Sequence, residues 1–572
     1  MSDDPANQTI ERPARLRAWY QALDLLGRQR LLAAIGLAIT LATLLGFLTI
    51  SGSHPQELAT PAAEPASTDG SWANLRMTTV ANTILVAILL LSSPVWVRWA
   101  FAPEIESPPH IGRPNSKLSI FFLLAALAVA SSLRLPLMDR PPQLAELDPL
   151  AFAISGYSDL DSDDRSEWQS PTWGQTFFPG AVEGYPALPS LASRATLEVW
   201  RKATGLENDR FHPVPVRLPS LIAGFASIVL IWRLLHWLGY RCAALFAAFF
   251  LAIHPAAIEL DVRAGSASLG LFFELLAISS AYLALRTLKW RFWLIYGASM
   301  FCCLYANLGH IYFFIASSFF LAIYLTRRLC RARTRAAAWP QFVRCGIVSL
   351  LVAMGIFQVA APARHRLPES AAGTHRTADT WQYLTLGKSP PTATTGDPQE
   401  TPKLGAGAWL ASLLISPALL LFGMLRLLRG NRFASPLVLA GLAAPVCAWT
   451  HAWLAAGHLP AIGQIVSALP IFILLFSIGI TSLSDLITNR QQRPYFILAS
   501  GAAYLIFFSL VTSVEAGPPD WPIEPGEGGS IEFERHGSRW QCDEDGRIIR
   551  NHSDEDKPLP RLDGSRGLPD SD

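Results

Sequence analysis

The sequence predicts an all-helical polytopic protein that crosses a membrane about thirteen times, and three observations carry that expectation. Apolar residues come in runs near twenty, the length an α-helix needs to cross the hydrocarbon. Only 16% of the 572 residues are charged while 51% are hydrophobic, against a charged share of about 25% in soluble domains. Basic residues collect in alternate gaps between the runs, the pattern of cytoplasmic loops.

The predicted spans are 31–50, 79–100, 118–137, 216–237, 240–258, 264–285, 291–307, 309–326, 343–362, 405–425, 434–454, 460–482 and 494–513. The first is too long for the apolar region of a signal peptide, and no small-residue cleavage site follows Leu48-Thr49-Ile50, so it is read as a retained helix. A Gly- and Ala-rich run such as 434–454 would also suit a soluble core. Thirteen runs in succession would not.

Orientation follows from the charges. Arg12, Arg15, Arg17, Arg28 and Arg30 place the N-terminus in the cytoplasm. Counting alternately, the inside gaps then receive Arg98, Arg113 and Lys117; Arg233 and Arg241; Arg286, Lys289 and Arg291; Arg327 to Arg335; Arg426, Arg429 and Arg432; and Arg490 and Arg493. The short outside turns near 259–263, 307–310 and 455–459 hold a single basic residue, Arg263. One span more or fewer would scramble this order downstream.

The chain therefore divides into a basic cytoplasmic N-terminus (1–30), two additional helices (31–117), a main module (118–513) and a polar outside tail (514–572). In the tail, 531–550 suits a short hairpin and the remainder reads as disordered. Two long loops, 138–215 and 363–404, fall outside. The first carries a predicted interfacial helix at 188–204, with Leu191, Ala195, Val199 and Trp200 near one face and Arg194, Glu198, Arg201 and Lys202 around it. An abundance of Arg over Lys suits a high-GC bacterial gene, and the expected location is the inner (plasma) membrane. No nucleic-acid partner is expected.

Cysteines add little. Cys242, Cys302, Cys303, Cys345 and Cys447 fall in or beside spans, Cys330 lies in a basic inside gap, and Cys542 alone faces outward. No zinc spacing is present. The run Asp159-Leu-Asp161-Ser-Asp163-Asp164 begins like a calcium loop but lacks its glycine and its final glutamate. No metal or cofactor is required by the sequence, and a divalent cation remains compatible with it. Glu274, in mid-span, is expected to face the bundle interior.

Chemistry-bearing residues concentrate after the third span. Arg134-Leu-Pro-Leu-Met-Asp139 leads to Glu146-Leu-Asp148 at the membrane exit. Tyr185-Pro-Ala-Leu-Pro189 precedes the interfacial helix, and Arg217-Leu-Pro-Ser220 opens the next span. Then follow His254-Pro255, Glu259-Leu-Asp261-Val-Arg263, and a later span ending in Leu304-Tyr-Ala-Asn-Leu-Gly-His310. In order and placement these features resemble the GT-C superfamily of membrane glycosyltransferases, above all the protein mannosyltransferase and aminoarabinose transferase group. The resemblance covers roughly 130–330. It implies a GT-C-like fold and transfer of a sugar from a polyprenyl-phosphate donor to a lipid, protein or polymer acceptor. The family's Asp-Glu pair is here Glu146-Leu147-Asp148. Its His-Pro-Pro-Leu-Tyr is Tyr185-Pro-Ala-Leu-Pro189, and its Glu-Ala-Arg-x-Tyr is Asp261-Val-Arg-Ala-Gly265.

Such a transfer needs a base for the acceptor hydroxyl and cations for the departing phosphate. Asp148 is the preferred base, with Glu146 and Asp139 as rivals. Arg263 is the preferred phosphate ligand, because a guanidinium grips two oxygens and stays charged. Arg364 and Arg366, where the ninth span exits, and His310 complete the phosphate-binding candidates, with Asp261 and Tyr185 in support. Each has a plainer role: helix-end solvation for Asp148, an ion pair for Arg263, headgroup contact for Arg364 and Arg366, packing for His310. Two other functions compete with transfer. A non-catalytic relative acting as a partner subunit is favoured by the altered Tyr185 and Gly265 segments. A transporter would need an internal repeat, which is not visible, and intramembrane acids, of which Glu274 is the single instance.

Overall fold

The computed structural model describes residues 25–51, 68–100, 117–140, 142, 146, 149–160, 166–177, 187–360 except 209, 415–456 except 432, 468–483 and three strands between 531 and 551. It is mostly helical. Helices stand at twelve of the thirteen expected positions, and 494–513 lies outside the described residues. Five helical stretches are by themselves long and apolar enough to cross a membrane: 119–137, 213–238, 266–287, 308–329 and 334–359. Two bent pairs raise the number to seven among the described residues. The chain is a multi-pass membrane protein.

The N-terminal helices α1 (Leu25–Ser51), α2 (Thr68–Leu91) and α3 (Ser93–Ala100) precede α4 (Lys117–Arg134), which continues into a tight turn, Leu135–Leu137. The first loop contains strands β1 (Tyr157–Leu160) and β2 (Ser166–Gln169) and helices α5 (Trp173–Phe177) and α6 (Ala187–Thr204). The bundle then runs through α7 (Pro213–Leu238), α8 (Arg241–Ile253), α9 (Pro255–Asp261), α10 (Ser266–Thr287), α11 (Trp290–Ala306), α12 (Ile311–Leu329) and α13 (Ala332–Ala360). It closes with α14 (Ser416–Gly430), α15 (Ser435–Ala456) and α16 (Leu469–Leu483).

Local sequence sets the helix limits. The His212 ring accepts the Val214 amide proton at the start of α7, where Pro213 and Pro215 need no partner for a missing N–H. Gly239, at φ 91°, ends the same helix in the left-handed conformation that glycine adopts at least cost. Pro255 breaks the fifth predicted span into α8 and α9, inclined at 62°. A second break separates α2 from α3 at 68°, ahead of Pro94.

One apolar core runs through α4 and α7 to α16. α14 and α16 cross at two glycines. A Cβ on Gly423 would strike the Leu475 carbonyl, and one on Gly479 would strike that of Leu419, the small-residue contact by which membrane helices approach closely. The N-terminal helices form a separate small core, Leu37, Val86 and Leu89 against Met354 of α13. Polar bonds lock that contact: the Asn82 amide donates to the Met354 carbonyl and to Gln358 Oε1, both at 2.9 Å.

A third core, built from Leu150, Ile154, Tyr157, Leu197, Phe211, Val216 and Ala264, seats the first loop on the bundle end. α6 packs on α7 through its small polar face, with Ser193 Oγ donating to the Val216 carbonyl at 2.7 Å and Thr196 Oγ1 to that of Pro215 at 2.6 Å. Towards its C-terminal end Val199 and Trp200 stay 69% and 39% exposed. Exposed apolar side chains at the end of such a helix suit contact with a bilayer surface.

The tail departs from the expected isolated hairpin. β3 (Ile531–Arg535), β4 (Ser538–Cys542) and β5 (Ile548–Asn551) join the first loop in a five-stranded sheet of order β2-β1-β5-β4-β3. β1 and β5 run parallel, with Ser158 opposite Ile549 and Leu160 opposite Asn551. A lone two-stranded hairpin is marginal in water, and here the β1–β2 hairpin and the three tail strands share an edge through β1 and β5.

Candidate functional site

Two buried ion pairs organise the end of the bundle beneath the first loop. Arg134, the last residue of α4, has no exposed surface. Its Nε donates to Asp261 Oδ2 at 2.8 Å, and its terminal nitrogens donate to the carbonyls of Ala252 at 2.6 Å and Leu251 at 3.2 Å near the end of α8. The broken span makes this possible. The turn at His254-Pro255 frees carbonyls at the C-terminus of α8, and a guanidinium there satisfies them and complements the helix dipole. Asp261 also accepts from Ser268 Oγ at 2.6 Å, which ties α9 to α10. Its carboxylate lies against the Cα of Gly224 so closely that a Cβ there would collide with it.

The second pair is Glu146 with Arg217, side chains 3% and 4% exposed. Arg217 donates from Nε to Glu146 Oε1 at 3.0 Å and from Nη2 to Oε2 at 2.6 Å, the bidentate geometry that favours arginine over lysine. Its remaining nitrogen donates to the carbonyls of Met138 at 3.1 Å and Arg140 at 2.7 Å. The Ala264 amide donates to Glu146 Oε1 at 2.6 Å. One carboxylate thereby joins three separate stretches: the segment leaving α4, the start of α7 and the α9–α10 turn.

The partly open groups lie around this framework. Arg263 is one-third exposed and pairs with Glu259, four residues back. Asp139 is 75% exposed and lies 3.6 Å from His212 Nε2, whose ring packs near Trp200 of α6. Arg194 sits 4.2 Å over the Trp173 ring and donates to Thr176 Oγ1 at 2.7 Å, clipping α5 to α6. Burial lowers its pKa, and the Glu198 hydrogen bond and charge oppose that shift. Tyr305, at the end of α11, donates to the Phe177 carbonyl at 2.7 Å and holds the same loop from the other side.

The structure thus gathers Glu146, Asp261, Arg263 and Asp139 at one end of the bundle. His310 is fully buried, with Nδ1 3.1 Å from Glu274 Oε2 and its ring against Gly270. Glu274 faces the bundle interior, as expected. Asp148, Tyr185, Arg364 and Arg366 lie outside the described residues. Asp261 pairs with Arg134 across the bundle, and Arg263 with Glu259. The sequence reading used Arg134 and Arg217 as landmarks and missed them as partners of the two acids. Their position gave no signal of it, because an arginine at the edge of an apolar run ordinarily snorkels to the interface. Among the described residues, no three His, Cys, Asp or Glu side chains converge as a metal site would need.

Comparison with known proteins adds three findings. No curated protein sequence is similar to the chain. Among solved structures, the archaeal oligosaccharyltransferase AglB of Archaeoglobus fulgidus, in complex with an inhibitory peptide and a dolichol-phosphate, aligns at 13% identity with a TM-score of 0.39. That alignment covers 71% of this chain and 57% of that one, so this chain spans little more than half of its length. Over residues 204–356, which carry Arg217, Asp261 and Arg263, the chain is similar to the family of dolichyl-phosphate-mannose-protein mannosyltransferases, whose model matches it there.

Proposed function

We propose that the protein transfers a sugar from a polyprenyl-phosphate donor to an acceptor hydroxyl at the non-cytoplasmic face of the membrane. The observation that carries this reading is the coincidence of the family match at 204–356 with the two ion pairs that tie that stretch to the end of α4 and to the acidic segment after it. The family's name specifies a dolichyl-phosphate sugar, which is a polyprenyl-phosphate donor.

In the proposed reaction the acceptor oxygen attacks the anomeric carbon, the bond from that carbon to the phosphate oxygen breaks, and the lipid phosphate leaves with both electrons. A carboxylate takes the acceptor proton. Asp148 suits that role, since Glu146, two residues before it, is held by Arg217 and the Ala264 amide. Glu146 itself would have to surrender those bonds to act as base. Asp139, exposed beside His212, is the other rival. Arg263, the partly open cation, receives the phosphate and is drawn from Glu259 to do so. Arg364 and Arg366 are assigned to the same phosphate. Asp261 supports Arg263 by fixing α9 through Arg134 and Ser268, and Tyr185 supports the loop. His310 serves by packing, because a phosphate contact would cost it the buried pairing with Glu274.

Thirteen crossings, with the N-terminus inside and the tail outside, complete the proposal. The sheet supports it: paired strands β1 and β5 lie on one side of the membrane, so an even number of spans separates them. The ten predicted spans between 216 and 513 satisfy that condition. The test is turnover of a polyprenyl-phosphate sugar by the purified full-length protein. Wild type is expected to transfer, and Asp148→Asn to lose about 10²–10⁴-fold in rate with donor binding intact. Full rate in Asp148→Asn overturns the base assignment. Absence of both donor binding and transfer in wild type favours the non-catalytic partner subunit suggested by the altered Tyr185 and Gly265 segments.

A further inference from the structure

A cavity of about 580 Å3 opens at the other end of the bundle, where α7, α10 and α14 end and α8 begins. The nineteen residue steps of α7 from Arg217 to His236 rise about 29 Å, close to the ~30 Å of a hydrocarbon core. The cavity therefore sits at the membrane boundary opposite the sugar-transfer site. Among the described residues, three arginines line it, Arg241, Arg286 and Arg429, and no acidic residue does. Arg286 is part of the wall: its Nη1 donates to the Trp237 carbonyl at 3.0 Å and to Tyr282 Oη at 2.8 Å. The Asn431 amide donates to the same Tyr282 oxygen at 3.3 Å. Arg241 and Arg429 are exposed on its surface.

Arginines at helix C-termini are often no more than complements to the helix dipole. Here the arithmetic leaves a surplus. Three helix ends present roughly −1.5 charges in total against three full positive charges. Arg241 opens α8 rather than closing a helix, so it sits where a dipole disfavours a cation. A concave site of this size, walled by a fixed guanidinium and two hydrogen-bonding side chains, with two further guanidinia exposed, suits a multiply charged oxyanion.

We propose that this cavity binds a phosphate-bearing anionic headgroup at the membrane boundary opposite the transfer site, with Arg241 and Arg429 gripping its oxygens and Arg286 shaping the wall. The chemistry is common to an anionic phospholipid and to a soluble diphosphate, and the experiment separates them. Delipidated full-length protein in neutral detergent is titrated with phosphatidylglycerol, phosphatidylcholine or pyrophosphate while the melting temperature is read. Phosphatidylglycerol is expected to raise it and phosphatidylcholine to leave it unchanged. The half-effective concentration is expected to rise about 30-fold in Arg241→Gln/Arg429→Gln and about fivefold in each single variant. The single variants keep the test open if the double one does not fold. Arg98→Gln/Arg331→Gln, basic residues away from the cavity, should respond as wild type does. A response to pyrophosphate in place of the lipid, lost in the same variants, supports the site and assigns the soluble anion. No response to either anion, or an equal response in the cavity variants, overturns the proposal.

Discussion

Arg134 and Arg217 do what a water-exposed arginine would not: each is buried, saturated with acceptors and aimed at one carboxylate. Removing one member of such a pair strands the other in a low-dielectric site. Arg134→Met or Asp261→Leu alone is expected to cost about 3–5 kcal/mol, whereas the double variant should recover most of that loss. Thermal inactivation of the four proteins of the cycle measures it, and additive losses would argue against a coupled pair. Gly224 gives a sharper local test. Gly224→Ala places a methyl group against the Asp261 carboxylate and should destabilise by about 1–3 kcal/mol. Gly265→Ala, with no atom within 4 Å of the added carbon, should be close to neutral. If both behave alike in a melting experiment, the close approach of Asp261 to α7 is wrong. The sequence showed the acids as chemistry and the arginines as landmarks. It could not show that Glu146 and Asp261 are each consumed by an arginine 71 and 127 positions away, because such pairing depends on which helices become neighbours.

Among the elements, the helices were legible and their neighbours were not. Runs near twenty mark α7 and α10 within a few residues, since length and polarity alone decide a membrane helix. The His254-Pro255 break was visible as a proline. Its consequence was not: the freed carbonyls of α8 become the receptor for Arg134. The two glycines between α14 and α16 looked like ordinary small residues of an apolar run. Gly423→Leu should separate those helices and lower the melting temperature, while Gly36→Leu, on α1 with open space around it, should not. An equal effect of both would remove the close crossing from the account. The interfacial helix was read from its amphipathic pattern, and the structure adds that its polar face, through Ser193 and Thr196, grips the bundle.

On the scale of the whole molecule, the sheet is the feature least visible in the sequence. Pairing Ser158 with Ile549 joins segments almost four hundred residues apart, and strand patterns carry no record of a distant partner. The tail is therefore a cover on the first loop. A chain ending at residue 513 should leave β1 with an open edge and make 138–177 markedly faster to exchange amide hydrogens and to be cut by protease. Unchanged protection there would show that the tail strands do not hold the loop. Sidedness has its own test in the natural cysteines. In single-cysteine variants of intact cells, a membrane-impermeant thiol reagent should label Cys542 and spare Cys330, and the reverse would invert the topology.

Discharge of a lipid-linked sugar by Arg263 and its neighbours, at the end of the bundle that carries the loop and the tail, is the step on which the proposed function rests. It is tested most directly by offering a radiolabelled polyprenyl-phosphate sugar to the loop-bearing face of sealed proteoliposomes and following release of the lipid phosphate with acceptor present. Release is expected from that face alone, reduced about 10²-fold or more by Arg263→Ala. Release from the opposite face, or an unchanged rate in Arg263→Ala, would contradict it.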